Sequence, residues 1–189
     1  MKAETAIKKH AALAASEIKM LLLHCGGATV RHRYNTKAHT MQRTGIFVGS
    51  FDPFTAGHDS IVQRALPLFD RLVIGVGVNA GKQCMLPPGE RVAAISRLYE
   101  GEGRISVEQY SGLTVDFARR VGAQFVVKGV RSVKDFEFER EQADINRSLT
   151  GLETLVFFAL PGMESVSSTV VRELTRYGRD CAQFMPRRK

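Results

Sequence analysis

No run of apolar residues in this chain approaches the ~18 that a membrane-spanning helix needs, so the sequence predicts no membrane partner. Cysteine is scarce and badly placed for cross-linking. Cys25, Cys84 and Cys181 are odd in number and widely spread, which gives neither a disulfide framework nor a metal spacing and fits a reducing cytoplasm. No internal repeat and no low-complexity tract is present, which argues against a solenoid or a fibrous protein. Acidic residues are missing from one place in particular. Residues 1–44 hold eight Lys/Arg against only Glu4 and Glu17, so they carry +6 of the total net charge of +8. The remaining residues are nearly neutral, which counts against a nucleic-acid-binding domain, since such a domain concentrates its basicity on the folded body.

What is there is an ordinary globular composition, 44% apolar and 24% charged over 189 residues. That length suits one domain with an extension and is long enough to bury a sizeable core. The expected division is a basic, flexible extension over 1–44 and a folded domain over 45–189. Residues 3–24 have helical propensity, Gly26-Gly27 interrupts it, and 31–44 are polar and aperiodic. His10, His24, His32 and His39 have no compact ligand spacing, and no metal-binding residue is expected. Met41 stands just before the first expected strand, and the expectation is that translation starts there; native peptides from upstream of Met41 would overturn it.

From residue 45 onward short apolar runs alternate with amphipathic stretches. Strands are expected over 44–48, 71–78, 104–107, 124–128 and 154–160. Helices are expected over 59–66, 88–99, 115–121 (capped by Thr114), 134–149 and 168–177. Alternation of this kind predicts an α/β protein with a doubly wound, parallel five-stranded, Rossmann-like sheet. In such a sheet ligands bind beyond the carboxyl ends of the strands, so polar motifs in those positions carry the functional prediction.

Four such motifs follow strands. The first is Gly49-Ser50-Phe51-Asp52-Pro53-Phe54-Thr55-Ala56-Gly57-His58, a strand-to-helix turn. Its glycines permit close approach or positive φ, and its end places N–H groups and His58 at a helix N-terminus, where anions are favoured. The second is Asn79-Ala80-Gly81-Lys82, which offers a point charge. The third is Lys128-Gly129-Val130-Arg131 with Asp135-Phe136-Glu137-Phe138-Glu139, in which two cations flank a glycine. The fourth is Ser165-Val166-Ser167-Ser168-Thr169 leading into Arg172. Its three consecutive hydroxyls exceed the needs of a helix cap. The inventory holds cations, hydroxyls and N–H groups suited to phosphate contact, but no activated nucleophile.

The Thr-x-Gly-His ending resembles the signature of nucleotidyltransferases, and the whole chain from 45 to 186 resembles the bacterial phosphopantetheine adenylyltransferase family. The resemblance rests on the ten-residue turn, on Lys128-Gly129-Val130-Arg131, on Asp135 to Glu139 with Asn146-Arg147, and on the serine motif. It implies transfer of the adenylyl group of ATP to 4′-phosphopantetheine, with Mg²⁺ accompanying ATP, in a cytoplasmic homohexamer subject to feedback by coenzyme A. It implies that His58 stabilises the transition state and binds ATP phosphates. Ser50 would touch both substrates, with Phe51 beside the nucleotide. Gly129, Val130, Arg131 and Glu139 would line the ATP site, as would Met163, Glu164, Ser165, Val166, Ser167, Ser168 and Thr169. Lys82, Thr114 and Lys128 would hold the acceptor. Lys128 stands where the family usually has Arg, which exchanges a bidentate fork for a point charge. Relatives of the same fold that use glycerol phosphate or nicotinamide mononucleotide remain alternatives, as does a regulator that binds nucleic acid through the basic arm.

Overall fold

A computed structural model describes residues 42–79, 81 and 83–187. The expectations placed on residues 1–41 and on Lys82 therefore lie outside the described residues. Five strands form one parallel sheet: β1 (Thr44–Gly49), β2 (Arg71–Gly77), β3 (Ile105–Tyr110), β4 (Phe125–Val130) and β5 (Glu153–Phe158). The connections are α1 (Ala56–Ala65), α2 (Pro88–Leu98), α3 (Thr114–Val121) and α4 (Val133–Thr150), with α5 (Ser168–Arg176) after β5. Single 3₁₀ turns occupy Leu66–Leu68 and Ala182–Phe184.

The strands lie in the order β3-β2-β1-β4-β5. The order reverses between β1 and β4, so the crevice predicted for a ligand opens at their carboxyl ends. Period-two alternation divides the side chains between two cores. Phe47, Leu72, Ile74, Val76 and Val127 face Ile61, Val62 and Ala65 of α1 and Ile95 of α2. Ile46, Val48, Val73 and Val126 face Val115, Phe117 and Ala118 of α3. Burial on both faces explains why the central strands read as unbroken Val/Ile runs. The folded body is tied down from Arg43 onward, whose N–H donates to the Asp70 carboxylate at 2.8 Å, while the Thr44 N–H donates to Gln124 at 2.9 Å.

Several expected boundaries move, each for a pairing reason. β3 runs on to Tyr110 because Gly75, Val76 and Gly77 of β2 pair with Glu108, Gln109 and Tyr110. The polar Glu108-Gln109 pair, which ended the strand in the sequence pattern, is tolerated because β3 is an edge. β4 extends through Val130, its last three residues Lys128, Gly129 and Val130 pairing with Val156, Phe157 and Phe158 of β5. Those functional candidates therefore sit in the strand, and only Arg131 lies beyond it. Thr114 is the first residue of α3 and Leu113 its N-cap, with no side-chain cap; Gly122, at φ 69°, terminates the helix as expected. Among the described residues no helix is long and apolar enough to cross a membrane.

Candidate active site

The ten-residue turn between β1 and α1 forms one wall of a cavity of about 540 Å³. β4 and its exit, Phe138 and Glu139 of α4, the loop from 159 to 167 and the start of α5 form most of the rest. Ser50, Phe51, His58, Lys128, Gly129, Val130, Arg131 and Glu139 all line it. So do Met163, Val166, Ser167, Ser168 and Thr169. Three expected residues stand apart. Glu164 and Ser165 are exposed and outside the lining, and Thr114 sits half-buried at α3, also outside it.

His58 is the third residue of α1, the position that Glu or Gln fills in a capping box. Its Nδ1 accepts the N–H of the N-cap Thr55 at 3.0 Å and lies 3.0 Å from the Thr55 hydroxyl. Because Nδ1 is an acceptor, the neutral ring carries its proton on Nε2. The Phe51, Phe54 and Phe47 rings surround the imidazole at centroid distances of 5.1, 5.3 and 6.2 Å. Desolvation by this apolar box, aided by the charge of Arg131, lowers the His58 pKa from 6.5 to about 4. The spacing Thr55-x-x-His58 is thus a local device that delivers a neutral N–H donor to the cavity.

The cations are already engaged. The Lys128 ammonium is 2.9 Å from Glu139 Oε2, both side chains being less than one-fifth exposed. Arg131 donates to Asp135 through Nε at 3.0 Å. Arg172 donates to the Asp52 carbonyl at 2.6 Å and to the Thr169 hydroxyl at 3.1 Å. The hydroxyls that looked surplus have structural partners too. Ser167 Oγ caps α5 by accepting the Val170 N–H, and Ser168 Oγ donates to the Pro53 carbonyl at 2.8 Å. A hydroxyl with one bond made keeps further capacity for a ligand oxygen.

The glycines of the turn serve close approach. A Cβ on Gly57 would sit 3.4 Å from the Val166 carbonyl, and one on Gly49 would meet the Phe51 ring at 2.9 Å. The left-handed residue is instead Phe51, at φ 47°, followed by a cis Asp52–Pro53 peptide. Sequence reasoning also missed the buried pair behind the turn. Asp52, 1% exposed, accepts the N–H groups of Met85 and Leu86 at 2.7 and 3.0 Å. Arg91 is buried among carbonyls. Tyr99, whose pKa is pushed up by burial and by its 2.7 Å hydrogen bond to Asp59, pins the outer face of α1.

A parallel sheet with a strand-turn-helix signature, a neutral histidine and an anion-attracting cavity at the switch point defines a nucleotidyltransferase. The family model described as cytidylyltransferase-like matches residues 46–174. Among solved structures, a bifunctional NMN adenylyltransferase/ADP ribose pyrophosphatase from Francisella tularensis superposes with a TM-score of 0.61 at 15% identity. That match covers 79% of this chain and 46% of the other, and carries the fold alone. Sequence relatives are more particular. The phosphopantetheine adenylyltransferase of Bacteroides fragilis is 52% identical over 145 residues, 77% of this chain and 97% of the relative. That of Bacteroides thetaiotaomicron is 51% identical, covering 76% and 95%. That of Porphyromonas gingivalis is 45% identical, covering 75% and 92%. The chain belongs to the phosphopantetheine adenylyltransferase family.

Proposed function

We propose that this protein transfers the adenylyl group of ATP to 4′-phosphopantetheine, forming 3′-dephospho-coenzyme A and pyrophosphate. The observation that carries the chemistry is the state of His58. A ring whose Nδ1 is committed to Thr55 and whose pKa is depressed to about 4 is a hydrogen-bond donor, not a base. The reaction needs no base. An oxygen of the acceptor's phosphate monoester, whose second pKa is about 6, is already ionised near neutrality. That oxygen attacks the α-phosphorus of ATP, the bond from the α-phosphorus to the bridging oxygen breaks, and pyrophosphate leaves. What remains for the protein is alignment and charge stabilisation. Lys128 holds the acceptor phosphate, His58 Nε2–H and Arg131 hold oxygens of the triphosphate, and the N-termini of α1 and α5 face the same cavity.

Mg²⁺ enters with the nucleotide in this reading and neutralises part of the triphosphate charge. Among the described residues no group of three His, Cys, Asp or Glu is placed to hold a metal. The cavity's hydroxyls and lone Glu139 suit an ion held chiefly by phosphate and water. The half-buried free Cys84 and Cys181 fit a reducing cytoplasm.

Pyrophosphate release from ATP and Mg²⁺ is expected only when 4′-phosphopantetheine is present, with dephospho-coenzyme A as co-product. Release with glycerol phosphate or nicotinamide mononucleotide instead would overturn the acceptor assignment.

The same proposal includes a homohexamer. α4 buries none of its 18 residues. Phe138, Ile145 and Leu149, on one helical face, are each more than half exposed. Light scattering after size exclusion is expected to give six protomers, and a monomer at micromolar concentration would refute it.

A further inference from the structure

Among the described residues Phe51 is the one non-glycine at positive φ. A left-handed phenylalanine costs energy unless its surroundings hold it there. The residue is 3% exposed, its ring packed against Phe47, Phe54 and His58. The carbonyls of the two neighbouring residues are gripped by guanidinium groups from two different helices. Arg91 Nη1 of α2 donates to the Ser50 carbonyl, and Arg172 Nη1 of α5 donates to the Asp52 carbonyl. Arg91 is only 2% exposed, and its other partners are also neutral carbonyls, Leu86 at 3.1 Å and Gly77 at 3.3 Å. No described carboxylate forms a salt bridge with it. Burying a guanidinium this way is expensive, and packing alone gives no reason for it.

We propose that Arg91 is a positioning residue for nucleotidyl transfer, acting through the Ser50–Phe51 peptide. A trans peptide points its N–H opposite its carbonyl. With the Ser50 carbonyl held on Arg91, the Phe51 N–H is directed away from α2, toward the cavity that Ser50 and Phe51 line and Arg91 does not. There it serves as a fixed donor for a phosphate oxygen, held in direction by Arg91. The three-carbonyl grip sets the direction of that donor, and a lysine cannot reproduce it because it lacks the planar fork.

This role rests on the adenylyl-transfer reading, so the test has one arm that does not. Arg91→Lys keeps the charge and misdirects the donor without removing it, so it is expected to lower kcat about 10–100-fold, less than the ~10²–10³ of a donor lost outright, with the KM for ATP raised at most several-fold and that for the acceptor little changed. Arg91→Gln is expected to lose more, giving the order wild type, Lys, Gln. In the independent arm, pyrophosphate alone is titrated onto the full chain, and amide exchange is followed at Phe51. Arg91→Lys is expected to weaken pyrophosphate binding several-fold and to speed exchange at Phe51 while exchange in β1 and β4 stays slow. If wild type shows no acceptor-dependent turnover but this arm behaves as stated, the reaction assignment fails and the positioning role stands. Wild-type kcat and pyrophosphate affinity in Arg91→Lys would overturn the proposal. So would a loss that vanishes when rates are normalised to the folded fraction, since that is a purely structural role. Should Arg91→Gln fail to fold, Arg91→Lys alone decides.

Discussion

Replacing His58 with alanine is expected to lower kcat by about 10²–10³, the worth of one preorganised donor at a centre of developing charge. The fold should persist. The lost side chain leaves the buried Thr55 N–H without its partner, a cost of about 1 kcal/mol at a helix cap. The pH dependence is the sharper part of the result. With its pKa depressed to about 4, chiefly by desolvation among Phe47, Phe51 and Phe54, His58 stays neutral across the working range. The wild-type pH–rate profile is therefore expected to show only the acceptor phosphate's own limb at about 6, which His58→Ala should leave in place, and any His58 limb should appear close to pH 4. The linkage has a definite sign. The folded pKa lies below the unfolded value, so the stabilisation from neutral His58 is complete above pH 6.5 and is lost as pH falls toward 4. Urea melts across that window should show the slope in wild type and a shallower one in the alanine variant. Near-normal turnover of the variant, or a wild-type inflection at 6.5 that it abolishes, would remove His58 from the transition state or make it an acid–base group.

How much of this was legible in the chain depends on the range of each interaction. The sheet could be read because both of its faces are buried, so β1, β2 and β4 carry continuous apolar runs, and because α1, α2 and α3 are short amphipathic crossovers, α4 being longer and mostly charged. The Thr55-x-Gly57-His58 ending could be read because helix capping is local: donor and acceptor lie three residues apart. The pairing of Lys128 with Glu139 could not, since it depends on how α4 leaves β4. Nor could Phe51, since the left-handed residue of a turn that holds two glycines is most simply taken to be one of them. Arg91 left a signal that was overlooked. It lies four residues before the buried Ile95, and a charged residue on the buried face of an amphipathic helix calls for a partner inside. The serine motif misled in the other direction. Ser167 caps, Ser168 ties α5 to Pro53 and Thr169 receives Arg172, so its hydroxyls are a joint between α5 and the turn as well as lining for the cavity.

Lys128→Ala is expected to raise the KM for 4′-phosphopantetheine by about 10²-fold while the KM for ATP changes far less. A charge-assisted hydrogen bond is worth ~1.5–3 kcal/mol, which alone gives about 10–150-fold. Glu139 places the expectation in the upper part of that range. Its carboxylate is 17% exposed and faces the Lys128 ammonium at 2.9 Å. Without the lysine it would confront an incoming phosphate dianion as an unneutralised, partly buried charge. Adding Glu139→Gln to Lys128→Ala should therefore recover part of the lost affinity, a coupling that independent sites would not show. Lys128→Arg tests the same geometry from the other side. A guanidinium has donors enough to keep Glu139 on one edge and take a phosphate on another, whereas the ammonium shares one point charge between them. The arginine variant is expected to bind the acceptor as well as wild type or better. If Lys128→Ala instead raised the ATP KM as much as that of the acceptor, Lys128 would belong to the triphosphate. Its contact with Glu139 would then be an ordinary counter-ion pair on the nucleotide side of the cavity.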